Sequence, residues 1–115
     1  MFALIALVAT LHLTTADNGK TFTVKPQTQI VLTLPTNLST GYRWDLAWVT
    51  DVNHHVRYVS YRYVEPEKNL PGAPGRDVWR FRATSKGTEV LAFQYVRPWE
   101  KNKPVRRFRV TIRVS

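Results

Sequence analysis

The chain has 115 residues, 43% of them hydrophobic and 22% charged, which suits one globular domain and excludes wholesale disorder. Lys and Arg number 17 against 8 Asp and Glu, and the net charge of +9 favours acidic partners. Cysteine is absent, so disulfides, thiolate metal sites and a Cys nucleophile are excluded.

Met1–Ala16 (MFALIALVATLHLTTA) carries no charged side chain. The apolar run Phe2–Leu11 followed by Thr14-Thr15-Ala16 predicts a signal peptide over 1–16, cleaved before Asp17. That leaves one domain over 17–115, in a secreted or periplasmic protein. The run lacks the basic residue expected ahead of it, and the competing reading is a buried first strand. It is too short to cross a bilayer, which takes about 20 apolar residues.

Beyond residue 17 the pattern is all strand. Thr21–Val24 is a short strand ended by Pro26, and Gln29–Leu34 alternates with Ile30, Leu32 and Leu34 on one face before Pro35. Tyr42–Val49 and Val56–Val64 are rich in aromatic and β-branched residues, which fit a half-buried pleated surface. Asp77–Ala83 sets Val78, Arg80 and Arg82 opposite Trp79, Phe81 and Ala83; a turn at Ser85-Lys86-Gly87 leads into Glu89–Val96. In the last strand Phe108, Val110, Ile112 and Val114 face one way and Arg107, Arg109, Thr111 and Arg113 the other. Seven or eight short strands predict an all-β fold, a two-sheet β-sandwich. Three longer connections, Pro35–Gly41, Glu65–Gly75 and Arg97–Pro104, alternate along the chain and are placed to share one end of it.

Catalysis finds little support. There is no G-x-S-x-G elbow, and no carboxylate pair stands out as acid and base. Of the histidines, His12 lies in the leader segment while His54 and His55 are adjacent and would point to opposite strand faces. Asp51 with His54 lacks further metal ligands at recognisable spacing, so neither metal nor cofactor is expected. A basic module for nucleic acid or another polyanion is the rival reading. Arg97 to Arg113 holds seven basic residues and one acidic, although alternation with apolar residues equally describes a solvated sheet face.

The three connections carry something more specific. Asn37-Leu38-Ser39-Thr40-Gly41-Tyr42-Arg43-Trp44 resembles the N-P-T-T-G-Y-x-W signature of chagasin-type inhibitors of cysteine peptidases. Gly72-Ala73-Pro74-Gly75-Arg76-Asp77-Val78-Trp79 resembles their G-x-G-G-x-x-x-W segment, and Arg97-Pro98-Trp99 matches their R-P-W. Order and spacing agree over about residues 20 to 115. Leu38 stands where the family has proline and Pro74 where it has the first glycine of a pair, while Ser39 keeps the hydroxyl of threonine.

The resemblance implies an immunoglobulin-like sandwich that binds papain-like cysteine peptidases reversibly, acts as a monomer, and needs neither membrane nor nucleic acid. It implies a wedge of three loops in the active-site cleft. Asn37, Leu38, Ser39, Thr40, Gly41 and Tyr42 would form the first loop, with Ser39-Thr40-Gly41 over the catalytic Cys and His of the target. Leu70, Pro71, Gly72, Ala73, Pro74, Gly75 and Arg76 would line one side, and Arg97, Pro98 and Trp99 the other. Asn37-Leu38-Ser39 is also a glycosylation sequon, and a glycan there would cover the wedge.

Overall fold

The computed structural model describes residues 9–48, 54–67 and 72–115. These form eight strands: β1 (Thr10–Leu13), β2 (Thr21–Val24), β3 (Gln29–Thr36), β4 (Arg43–Trp48), β5 (Val56–Val64), β6 (Gly75–Ala83), β7 (Gly87–Val96) and β8 (Arg106–Val114). One sheet is ordered β1-β3-β6-β5 and the other β2-β8-β7-β4. The period-two alternation of the sequence becomes the inner faces of the two sheets. Ile30, Leu32 and Leu34 of β3 meet Leu91 and Phe93 of β7 and Phe108, Val110 and Ile112 of β8 in one buried cluster. Phe81, Phe93 and Phe108 pack edge to face across it, with ring centroids 6.3 Å apart in each successive pair.

β6 and β7 each begin two residues earlier than the sequence reading and β4 one residue later, and two further differences bear on the loops and the core. β3 continues through Pro35 to Thr36. Its neighbour β1 ends opposite Leu32, so no strand flanks that side at Pro35, and the Pro35 carbonyl accepts from Trp44 Nε1 at 2.9 Å. The second difference lies at the start. Thr10–Leu13, inside the segment read as a leader, pairs parallel with Gln29–Leu32, and Leu13 is buried in the core. That is the buried-strand alternative, and cleavage before Asp17 would remove β1 from its sheet.

Between β1 and β2 the chain crosses from one sheet to the other. Thr14 and Asp17 cap a 3-10 turn at Thr15–Asp17 reciprocally, and Asn18 Oδ1 accepts from Arg109 N at 2.9 Å, which fixes the corner to β8. At the opposite end from the β3–β4 turn, Glu89 is fully buried. Its Oε1 accepts from His55 N at 2.9 Å and lies 3.2 Å from His54 Nδ1, so the carboxylate is not left bare in the core.

Candidate functional site

The first loop is held by its own short polar side chains. Asn37 is extended and caps a 3-10 turn at Leu38–Thr40. Its Oδ1 accepts from Ser39 N at 3.2 Å and from Ser39 Oγ at 2.6 Å. Thr40 Oγ1 donates to Asn37 O at 2.8 Å and accepts from Tyr42 N at 3.4 Å. Both hydroxyls therefore satisfy groups that the turn leaves over, and the Ser39 hydroxyl faces an amide oxygen that cannot act as a base. Gly41 ends the turn at φ 81°, in the left-handed region.

The third loop leans on the first. Pro98 opens a 3-10 turn, Pro98–Glu100, at the position where its fixed φ fits and its missing N–H is not needed. Trp99 stays 69% exposed, yet its ring lies on Gly41: a Cβ there would stand 3.0 Å from Trp99 Cη2. Arg97 ties the two loops together. Its guanidinium lies 4.5 Å from the Tyr42 ring centroid and 6.0 Å from that of Trp99, and Nε donates to the Thr40 carbonyl at 3.4 Å. Beneath it, Tyr42 stacks on Tyr95 at 5.4 Å, and Tyr95 lies 4.8 Å from the buried Trp44. The Tyr95 hydroxyl accepts from Asn37 N at 3.1 Å. A column of aromatic rings thus connects the loop tip to the core.

The second loop reaches the same end. Gly75 begins β6 opposite Thr36, buried under the Tyr63 ring, with no room for a side chain. Pro74 shares a hollow with Pro35, Asn37, Thr40 and Tyr42. Gly72 takes φ 79°, Ala73 is half-buried, and Arg76 is exposed on β6 opposite Pro35, behind the tips. Leu70 and Pro71 lie outside the described residues, as does Asp51 of the weighed metal pair. Among the described residues no three or more His, Cys, Asp or Glu side chains cluster as metal ligands.

One titratable pair sits on the flank of the first loop. Asp77 is 3% exposed and accepts from the Tyr61 hydroxyl at 2.7 Å, in a hollow shared with Leu38, Arg43, Trp44 and Trp79. Burial raises the Asp77 carboxyl above its usual range against the opposing effect of that bond, and burial with the bond to Asp77 pushes the Tyr61 phenol up to about 12. The motifs did not point to Tyr95 or Tyr63, the two props beneath the loops. The only sequence signal for Tyr95 is an aromatic residue two places ahead of Arg97-Pro98-Trp99.

The profile of the chagasin family of peptidase inhibitors, family I42, matches residues 23–114. The chain belongs to the chagasin family. Among curated relatives it is 32% identical to chagasin of Trypanosoma cruzi over 88 residues, covering 75% of this chain and 80% of that protein. It is 30% identical to amoebiasin-2 of Entamoeba histolytica over 109 residues, covering 89% and 85%. Among solved structures, the cysteine protease inhibitor EhICP2 of Entamoeba histolytica superposes with a TM-score of 0.82 at 25% identity, covering 94% of this chain and 97% of that one. An inhibitor solved in complex with falcipain-2, PbICP-C, shares the fold, with a TM-score of 0.58 at 15% identity over 96% of each chain. This chagasin-family chain is accordingly a cysteine protease inhibitor, not an enzyme, and the inhibitor reading prevails over the polyanion module as its principal function. No helix among the described residues is long and apolar enough to cross a membrane.

Proposed function

We propose that this chagasin-family protein inhibits papain-like cysteine peptidases reversibly, as a monomer, by seating the end formed by its three loops in the active-site cleft. The observation that carries this reading is Trp99. It is 69% exposed at a loop tip, yet fixed from behind by Gly41 and Arg97. A large rigid side chain held ready at low ordering cost is what an interface anchor requires. The chain has no cysteine and so cannot form a mixed disulfide with the target's thiol, which leaves occlusion of the cleft as the means of inhibition. The solved complex of PbICP-C with falcipain-2 supports this choice of partner.

Export is supported by the apolar start Phe2–Leu11. Thr10–Leu13 is paired with β3 and Leu13 packs in the core, so a mature chain beginning at Asp17 would fold without β1. Titration of papain and trypsin with the purified chain tests the main reading. Papain loses activity at stoichiometric inhibitor and recovers on dilution, the recovered inhibitor is uncut, and trypsin is unaffected. Cleaved inhibitor in stoichiometric amounts, or equal inhibition of trypsin, contradicts it.

A further inference from the structure

The outer face of the β1-β3-β6-β5 sheet has a charge pattern that the inhibitor function leaves unexplained. In the register of β5 against β6, Arg57 stands directly opposite Arg82, Ser60 opposite Arg80 and Arg62 opposite Val78. On the other side of β6, Gln29 and Val31 of β3 flank Arg82 and Arg80. None of the four strands places an Asp or Glu on this face, since Asp77 is turned inward and buried. Among the described residues none of these four arginines makes an ion pair. Like charges placed opposite each other across strands destabilise a sheet, so the face is built at a cost.

Two further observations point to an anion. Arg82 Nε is buried and has no hydrogen-bond acceptor. A β-bulge between Tyr58 and Ser60 opens the sheet beside it, leaving a hollow of about 110 Å³ whose lining includes Gln29, Val31, Val59, Arg80 and Arg82. A guanidinium fork matches the tetrahedral oxygens of a sulfate or phosphate, and the hollow has room for one such group.

We infer that this stripe binds a linear sulfated polysaccharide, with one sulfate seated between Arg80 and Arg82 and its neighbours on Arg57 and Arg62. Arg62 lies about four residue steps along the strands from the Arg57–Arg82 pair, roughly 14 Å at 3.4 Å per residue, which suits a narrow extended chain. Single-stranded nucleic acid needs aromatic platforms, and the register turns Tyr58, Tyr61 and Trp79 to the opposite side of the sheet. A lipid surface needs an apolar face to enter it, and here Val59 alone is an exposed large hydrophobic. The stripe is a different surface from the three-loop end, so a chain held on polysaccharide keeps its wedge free.

The test is titration of a size-defined heparin oligosaccharide into the full chain at several salt concentrations. Arg57→Gln/Arg80→Gln/Arg82→Gln loses affinity tenfold or more and flattens the salt dependence, while papain inhibition is unchanged. The equal charge change Arg107→Gln/Arg109→Gln/Arg113→Gln on the other sheet costs less than threefold. Arg82→Lys, which keeps the charge and removes the buried Nε, loses affinity severalfold. Val59→Glu, which adds a carboxylate at the bulge without altering an arginine, reproduces the loss and serves where the triple change unfolds the sheet. Equal losses from the two triple variants would show attraction by net charge alone and overturn the proposal. So would wild-type affinity in Arg82→Lys, or binding as tight to a single-stranded oligonucleotide of matched charge or to phosphatidylserine vesicles.

Discussion

Gly41 and Trp99 illustrate how single residues set the shape of the three-loop end. A positive φ of 81° at Gly41 costs any other residue about 1–2 kcal/mol, and a Cβ there also presses on the Trp99 ring. Trp99→Ala is expected to weaken papain inhibition by about 1–3 kcal/mol, the range for truncating an aromatic anchor. Gly41→Ala weakens it as well, and the double variant loses less than the sum, because removing the ring relieves the contact that the new methyl makes. Inhibition constants for the three variants, with thermal unfolding as a check of the fold, decide the matter; strict additivity contradicts the contact. Asp77 gives a second residue-level expectation. Its carboxyl is raised in the fold, so its contribution to stability is present below about pH 4 and is lost as pH rises through the raised value. Asp77→Asn keeps an acceptor for Tyr61 and cannot ionise. The variant's melting temperature minus that of the wild type should therefore increase as pH rises from about 4, and a decrease in that difference contradicts the account.

At the scale of elements, the first loop is a capped turn resting on an aromatic column. Leu38 occupies the first position of that turn, where an N–H has no acceptor within the turn and the backbone already suits proline. Asn37 ahead of it is extended at φ −121°, the conformation that a following proline prefers. Leu38→Pro should therefore tighten papain inhibition by up to about 1 kcal/mol by narrowing the free loop's conformations. Weaker inhibition would show that the leucine side chain, 49% exposed, is itself a contact. The strands were legible because half-buried sheets impose a period of two, which β8 shows from Arg107 to Val114. β1 was not, because the alternation of Leu11 and Leu13 lies within an apolar stretch that an export signal would also show. The loop chemistry was legible as turn-forming residues in a familiar order. Its support was not, since Tyr95 and Tyr63 reach the loops only through the pairing of one strand with another.

At the scale of the molecule, the sandwich separates two surfaces. One end gathers three loops around Gly41, Pro74 and Trp99, while the sheet faces carry most of the arginines well away from the tips. The central claim is that the loop end alone meets the peptidase. Hydrogen–deuterium exchange of the inhibitor, free and saturated with papain, tests it most directly. Protection confined to residues 36–42, 72–76 and 97–104, with the outer faces of β5, β6 and β8 unchanged, is the expected result. Protection concentrated on a sheet face, with those loops exchanging as in the free chain, would contradict it.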